Sequence, residues 1–196
     1  CLGVIERACL AEAGPIVTAG ASQRATVTNR PAWQLDSSAL AARHGLGHVA
    51  LINDFAAVAL GLTALQAHER VSLQAGSPAP EGLRLALGPG TGLGVAAIVD
   101  GRVVPSEGGH LGFAPWDAES LGLWRFLGGE QRRVTNEAIV SGNGLLACYR
   151  YCVHTTSGVT PDVAVRGIVV QRALAGHDPV ARRALALFDR CFGAVA

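Results

Sequence analysis

A chain of 196 residues, 49% hydrophobic and 16% charged, with a formal net charge of +1, has the make-up of a globular protein with a real core. Its mixed signs exclude a basic nucleic-acid-binding stripe and an acidic or basic tail. The most apolar stretch, residues 49–67, carries Asn53 and Asp54 near its start, which argues against a membrane span.

The chain has no methionine, begins at Cys1 and carries no signal-peptide pattern, so it is read as a fragment holding one domain or parts of two. Residues 1–30 read as strands and turns, broken at Ala13-Gly14-Pro15. Asp36 is placed to cap a helix running to His44. His48–Ile52 is a short apolar strand, and Asn53-Asp54 then opens a helix to about Leu65. Residues 69–82 form a surface excursion. Strands are expected at Leu83–Leu87 and Gly94–Val99, then a hairpin turn at Asp100-Gly101 with Val103-Val104 returning. From Asp117 the pattern is helical, over 118–129, 135–140, 142–153, 161–175 and 178–193. Strands first and helices after describe a mixed α/β protein. The five cysteines, with no C-x-x-C, read as core thiols in a reducing cytosol.

Gly88, Gly90, Gly92 and Gly94 alternate around Thr91. Such a loop lets backbone N–H groups converge on an anion without Cβ obstruction. A Rossmann turn needs a helix directly afterwards, and here a strand follows; a P-loop needs G-K-[ST], which is absent. The loop therefore joins two strands, as in the phosphate-binding hairpins of actin-like ATPases, or else it is a plain glycine turn. Gly92→Val is expected to weaken binding of that anion and to leave affinity for any second ligand alone.

Asp54 sits where a strand ends and a helix starts. That is an N-cap position, and it is also where open α/β folds hold ligands. The two readings are compatible, because a helix N-terminus is an electropositive seat for a carboxylate base. Asn53 offers donor and acceptor to a hydroxyl. Glu107 and His110 flank Gly108-Gly109 and present two polar side chains to one small ligand. A di-iron half-site is disfavoured, since the glycines interrupt it and no second copy exists. Glu137, on spacing alone, sits on an exposed helix face.

Taken together, these pieces resemble the bacterial glucokinases of the hexokinase superfamily, in the branch outside the ROK family. The resemblance rests on Ala13-Gly14-Pro15-Ile16, Thr28-Asn29 with Trp33, Ile52-Asn53-Asp54-Phe55, Gly90-Thr91-Gly92-Leu93-Gly94, Glu107-Gly108-Gly109-His110 with Phe113-Ala114-Pro115, Glu137 with Ser141-Gly142 and Gly144-Leu145, and Arg183-Ala184-Leu185, all in family order. It implies an α/β, actin-like ATPase (ribonuclease H-like) fold. Residues 1–64 would be part of a small α/β domain, and 65–196 most of a larger α+β domain. It implies ATP-dependent phosphorylation of glucose at the 6-hydroxyl to glucose 6-phosphate, the first step of glycolysis, in the cytoplasm, with ATP and Mg²⁺ as cofactors and a homodimer at full length. Asp54 would be the base. Asn53, Glu107, His110 and Glu137 would bind sugar hydroxyls, and Gly90, Thr91 and Gly92 the phosphates. No residue is assigned to a metal.

Three departures are visible. The family's Asp-x-Gly-Gly-Thr motif, whose Asp helps organise Mg²⁺, does not occur, nor does its C-terminal adenosine segment, so these residues alone are expected to be inactive. Glu12 stands where the family has a small or apolar residue. The alternative reading is a sugar-sensing regulatory domain without turnover; a retained Asp54 favours the enzyme. An actin-type structural protein fits the concentrated polar groups poorly.

Overall fold

The computed structural model describes residues 4–28, 30–77, 79, 82–158 and 166–196. Strand β1 (Arg7–Glu12) runs parallel to β5 (His48–Asn53), in a register that sets Glu12 opposite Asn53. Between them in sequence, β2 (Ile16–Ala19), β3 (Ser22–Thr26) and β4 (Gln34–Asp36) make an antiparallel three-stranded sheet. Asp36 ends β4 and caps α1 (Ser37–His44), accepting from the Ser38 and Ala39 N–H groups at 3.0 Å each. The Ala39 N–H, then Arg24 and Ser22, hold its carboxyl well below the usual range. The Gln23 side-chain carbonyl accepts from Leu51 N (2.8 Å) and joins the two sheets. Ala25, Val49 and Leu51 are buried there, with Leu35 and Leu40 packed against them.

Helix α2 (Asp54–Ala64) follows β5 with no intervening loop. Strands β6 (Arg84–Pro89), β7 (Leu93–Val99) and β8 (Arg102–Ser106) are neighbours in chain order in a further three-stranded sheet. The turn between β7 and β8 has positive φ at Asp100 (49°) and Gly101 (73°), the type I′ pattern that suits a two-residue hairpin.

The rest is helical: α3 (Ala118–Phe126), α4 (Asn136–Ile139), α5 (Gly142–Ser157), α6 (Arg166–Ala175) and α7 (Pro179–Val195). Leu123, Ile139, Val140, Cys148, Cys152, Leu187 and Cys191 are buried in their shared core. Arg183 of α7 pairs with Glu119 of α3 at 2.7 Å, and Arg190 also reaches Glu119, bracing the two helices. Burial pushes the Cys152 thiol up to about 11 and the Cys191 thiol up to about 12, and Cys148 upward as well. These are protonated packing groups, as expected from the sequence. Cys9 differs in being exposed, and Cys1 lies outside the described residues.

Several boundaries move. Helix α3 stops at Phe126 rather than near 129, because Gly128 turns left-handed (φ 82°). Helix α5 runs on to Ser157 past the expected end at 153, and α6 begins at Arg166, the expected 161–165 lying outside the described residues. The chain divides into two compact units, Cys1–Ala86 with Ala96–Pro105, and Leu87–Val95 with Ser106–Ala196. That division passes through β6, β7 and β8. Among the described residues no helix is long and apolar enough to cross a membrane.

Helix α4 is a single turn, and its fixed point is Ile139, fully buried. Ile139→Ala is expected to cost about 2–5 kcal/mol of stability, the range for emptying a buried aliphatic site. Chemical denaturation with an unchanged m-value checks it.

Candidate active site

The expected polar residues fall in both units: Asn53 and Asp54 in the first, Gly90–Gly92, Glu107, His110 and Glu137 in the second.

In the first unit, Asn53 is the N-cap of α2. Its Oδ1 accepts from Phe55 N (2.9 Å) and Ala56 N (3.1 Å), and its Nδ2 donates to the Gly14 carbonyl (3.3 Å). Asp54 is the first helical residue. Its carboxylate is exposed and takes one bond from Phe55 N at 2.8 Å, so its remaining lone pairs face outward. The capping role therefore falls on Asn53 and leaves the Asp54 carboxylate open. Asn29, from the Thr28-Asn29 piece, lies outside the described residues.

Beside this junction sits a group that sequence reasoning noticed only as a departure. Glu12 is 7% exposed, and both its carboxyl oxygens are buried without a hydrogen-bond partner among the described residues. Its Oε1 occupies the space a side chain at Gly14 would need. Burial first, and the charge of Asp54 second, push the Glu12 carboxyl upward.

In the second unit the glycine loop spans Gly90–Gly92 between β6 and β7, a hairpin as expected. The Gly90 N–H turns inward onto the Gly92 carbonyl (2.8 Å), and the Gly90 carbonyl accepts from Gly142 N (2.8 Å) at the start of α5. The N–H groups of Thr91 and Gly92 keep no protein partner among the described residues, and Thr91 is exposed. These two are the donors the loop can offer an anion.

Glu107 and His110 bracket a short 3₁₀ turn, Gly108–His110. The turn lies directly on the start of β7, where a Cβ at Gly109 would strike the Leu93 carbonyl. Asn136 Nδ2 donates to the Gly108 carbonyl (3.3 Å), and Asn136 N to the Leu111 carbonyl (2.8 Å). Asn136 was missed from the sequence; its one signal is that it directly precedes Glu137.

Glu137 is not the solvent-facing helix residue its spacing suggests. Its Oε2 accepts from Leu93 N at 3.2 Å, and its Oε1 lies 3.7 Å from His110 Nδ1. His110 Nε2 in turn faces Glu107 Oε2 at 3.5 Å. With side chains 71%, 61% and 35% exposed for Glu107, His110 and Glu137, the three form an open polar cluster. Its two carboxylates and an imidazole suit a ligand with several hydroxyls. Among the described residues no group of three or more His, Cys, Asp or Glu is placed to hold a metal ion.

In sequence and in fold the chain resembles known sugar kinases. A family model described as Glucokinase matches residues 2–196. A glucokinase from Sinorhizobium fredii is 38% identical over 193 residues, covering 96% of this chain and 55% of the relative. The crystal structure of a glucokinase from an Antarctic psychrotroph superposes with a TM-score of 0.80 at 29% identity, covering 96% of this chain and 58% of that one. A ROK family glucokinase from Streptomyces griseus, solved with glucose and AMPPNP, superposes at 0.54 and 20% identity, covering 81% and 50%. The fold is mixed α/β and is that of the actin-like sugar kinases. Within that class the chain belongs to the glucokinase family. It spans about half the length of the curated relatives it matches.

The raised Glu12 carboxyl has a definite sign. The folded protein keeps this proton above the ordinary value near 4.5, while the unfolded chain loses it there. The native state then binds more protons, so this contribution is complete at lower pH and is lost as pH rises through the folded value. Glu12→Gln is expected to flatten that decline and raise Tm at pH 8 but not at pH 4, as read by thermal melts across pH.

Proposed function

We propose that the full-length protein phosphorylates glucose with ATP, and that the carrying observation is the Glu107–His110–Glu137 cluster set against the glycine loop. Asp54 accepts the proton of the sugar 6-hydroxyl. The freed oxygen bonds to the γ-phosphorus of ATP, the bond from that phosphorus to the β–γ bridging oxygen breaks, and ADP leaves. The exposed lone pairs of Asp54, at a helix N-terminus, suit that acceptance. Glu107, His110 and Glu137 orient the other hydroxyls. Asn53 contributes through what its two cap bonds and its bond to Gly14 leave free.

Thr91 and Gly92 donate backbone N–H groups to the phosphates, and Gly90 shapes the turn that presents them. Mg²⁺ enters with ATP as part of the substrate and spreads the phosphate charge. The remaining work is positioning, the main lever in phosphoryl transfer. The reading includes the family's small and larger domains, a cytoplasmic setting and a homodimer.

Asp54→Asn is a clean test, because an asparagine keeps the oxygen that Phe55 N bonds. In the full-length protein it is expected to lower kcat by about a hundredfold or more, the usual scale for a positioned base, with glucose affinity nearly intact. A coupled assay and calorimetry check both halves. A variant keeping most of its kcat overturns the assignment.

A further inference from the structure

We propose that Glu137, besides meeting the sugar, positions the nucleotide loop, so that the sugar and phosphate subsites are linked through one carboxylate. The inference rests on the kinase reading above and adds a second role for this side chain.

The contacts are all within one compact unit. Glu137 Oε2 takes the Leu93 N–H, the first backbone donor after the loop, while Oε1 faces His110. The same Oε2 fills the space beside Gly92, where a Cβ would collide with it. The other end of the loop is pinned by Gly142 N on the Gly90 carbonyl (2.8 Å). Thr91 and Gly92, the loop's available donors, thus hang between a helix start and the Glu137 carboxylate. A carboxylate has about four acceptor directions, so one sugar hydroxyl, His110 and Leu93 can share it.

The side chain is a third exposed, and a sugar hydroxyl bonded to it removes freedom that the loop also uses. A first ligand that orders a shared group leaves less ordering for the second, which gives positive coupling without a change of shape. Linkage makes the coupling reciprocal. Gly92 then touches sugar affinity as well as phosphate. This differs from the sequence-based expectation that a side chain there affects ATP alone.

The test is calorimetry on the full-length protein with glucose and AMPPNP, each alone and in the presence of the other. In the unaltered protein glucose is expected to tighten AMPPNP by about fivefold or more, within the usual span of coupling. Gly92→Ala is tolerated by the backbone, since φ there is not in the left-handed region, but its methyl displaces Glu137. It is expected to weaken glucose measured without nucleotide. Glu137→Ala is expected to weaken AMPPNP measured without glucose. Glu137→Gln, which retains an acceptor for Leu93 N–H, is expected to restore most of that nucleotide affinity. If Gly92→Ala leaves glucose affinity unchanged, or Glu137→Ala leaves AMPPNP affinity unchanged, with melts showing folded protein, the link is overturned while the kinase reading stands. Failure of the unaltered protein to bind glucose overturns both.

Discussion

The bond from Leu93 N to the Glu137 carboxylate is the contact around which the second unit's polar surface is arranged. Leu93 begins β7 and is buried, so its N–H is fixed by the sheet and the core together. The Gly108–His110 turn rests on the Leu93 carbonyl side, and Asn136 ties that turn back to α4. Loop, turn and α4 come from residues 90, 110 and 137, yet each is set by reference to the same few backbone atoms. A hydrogen bond to a charged group contributes roughly 1.5–3 kcal/mol. Its larger effect here is geometric, because it removes the freedom of a short loop whose neighbours are already pinned.

How much of this was legible in the sequence depends on the range of the interaction. The β5–α2 junction was legible because a strand run, a capping Asn and an apolar helix lie within twenty residues of one another. The hairpin at the glycine loop was legible because Asp100-Gly101 demands a turn soon after. The extra turn of α5 was not. Thr155 and Thr156 are weak helix formers, but their hydroxyls bond back to the Cys152 carbonyl at 3.0 and 2.8 Å, and packing carries the helix on. The parallel pairing of β1 with β5 was equally hidden, since no local pattern reports which distant strand a strand will join.

The site divides the same way. Asn53, Asp54, Glu107 and His110 sit in short motifs whose local placement can be read from neighbours. Glu137 cannot be read so. Its partner Leu93 lies 44 residues earlier in sequence, and that partner is a backbone N–H, which carries no residue-type signal at all. Spacing therefore put Glu137 on a bare helix face, and only resemblance pointed to the sugar. Gly92 also needed the fold: the space a side chain there would take is filled by the Glu137 carboxylate.

Glu12 shows the converse, a residue whose type was conspicuous and whose meaning needed the fold. Glu12 is the last and the one buried residue of β1, and parallel pairing sets it opposite Asn53, which directly precedes Asp54. A charged Glu12 there would be a buried, unpartnered anion facing a second carboxylate, which is among the costliest arrangements a core can hold. Its surroundings, burial first and the charge of Asp54 second, push the Glu12 carboxyl upward, the direction that eases that cost. The same surroundings tie the stability of the first unit to pH through a residue that makes no hydrogen bond with the described residues.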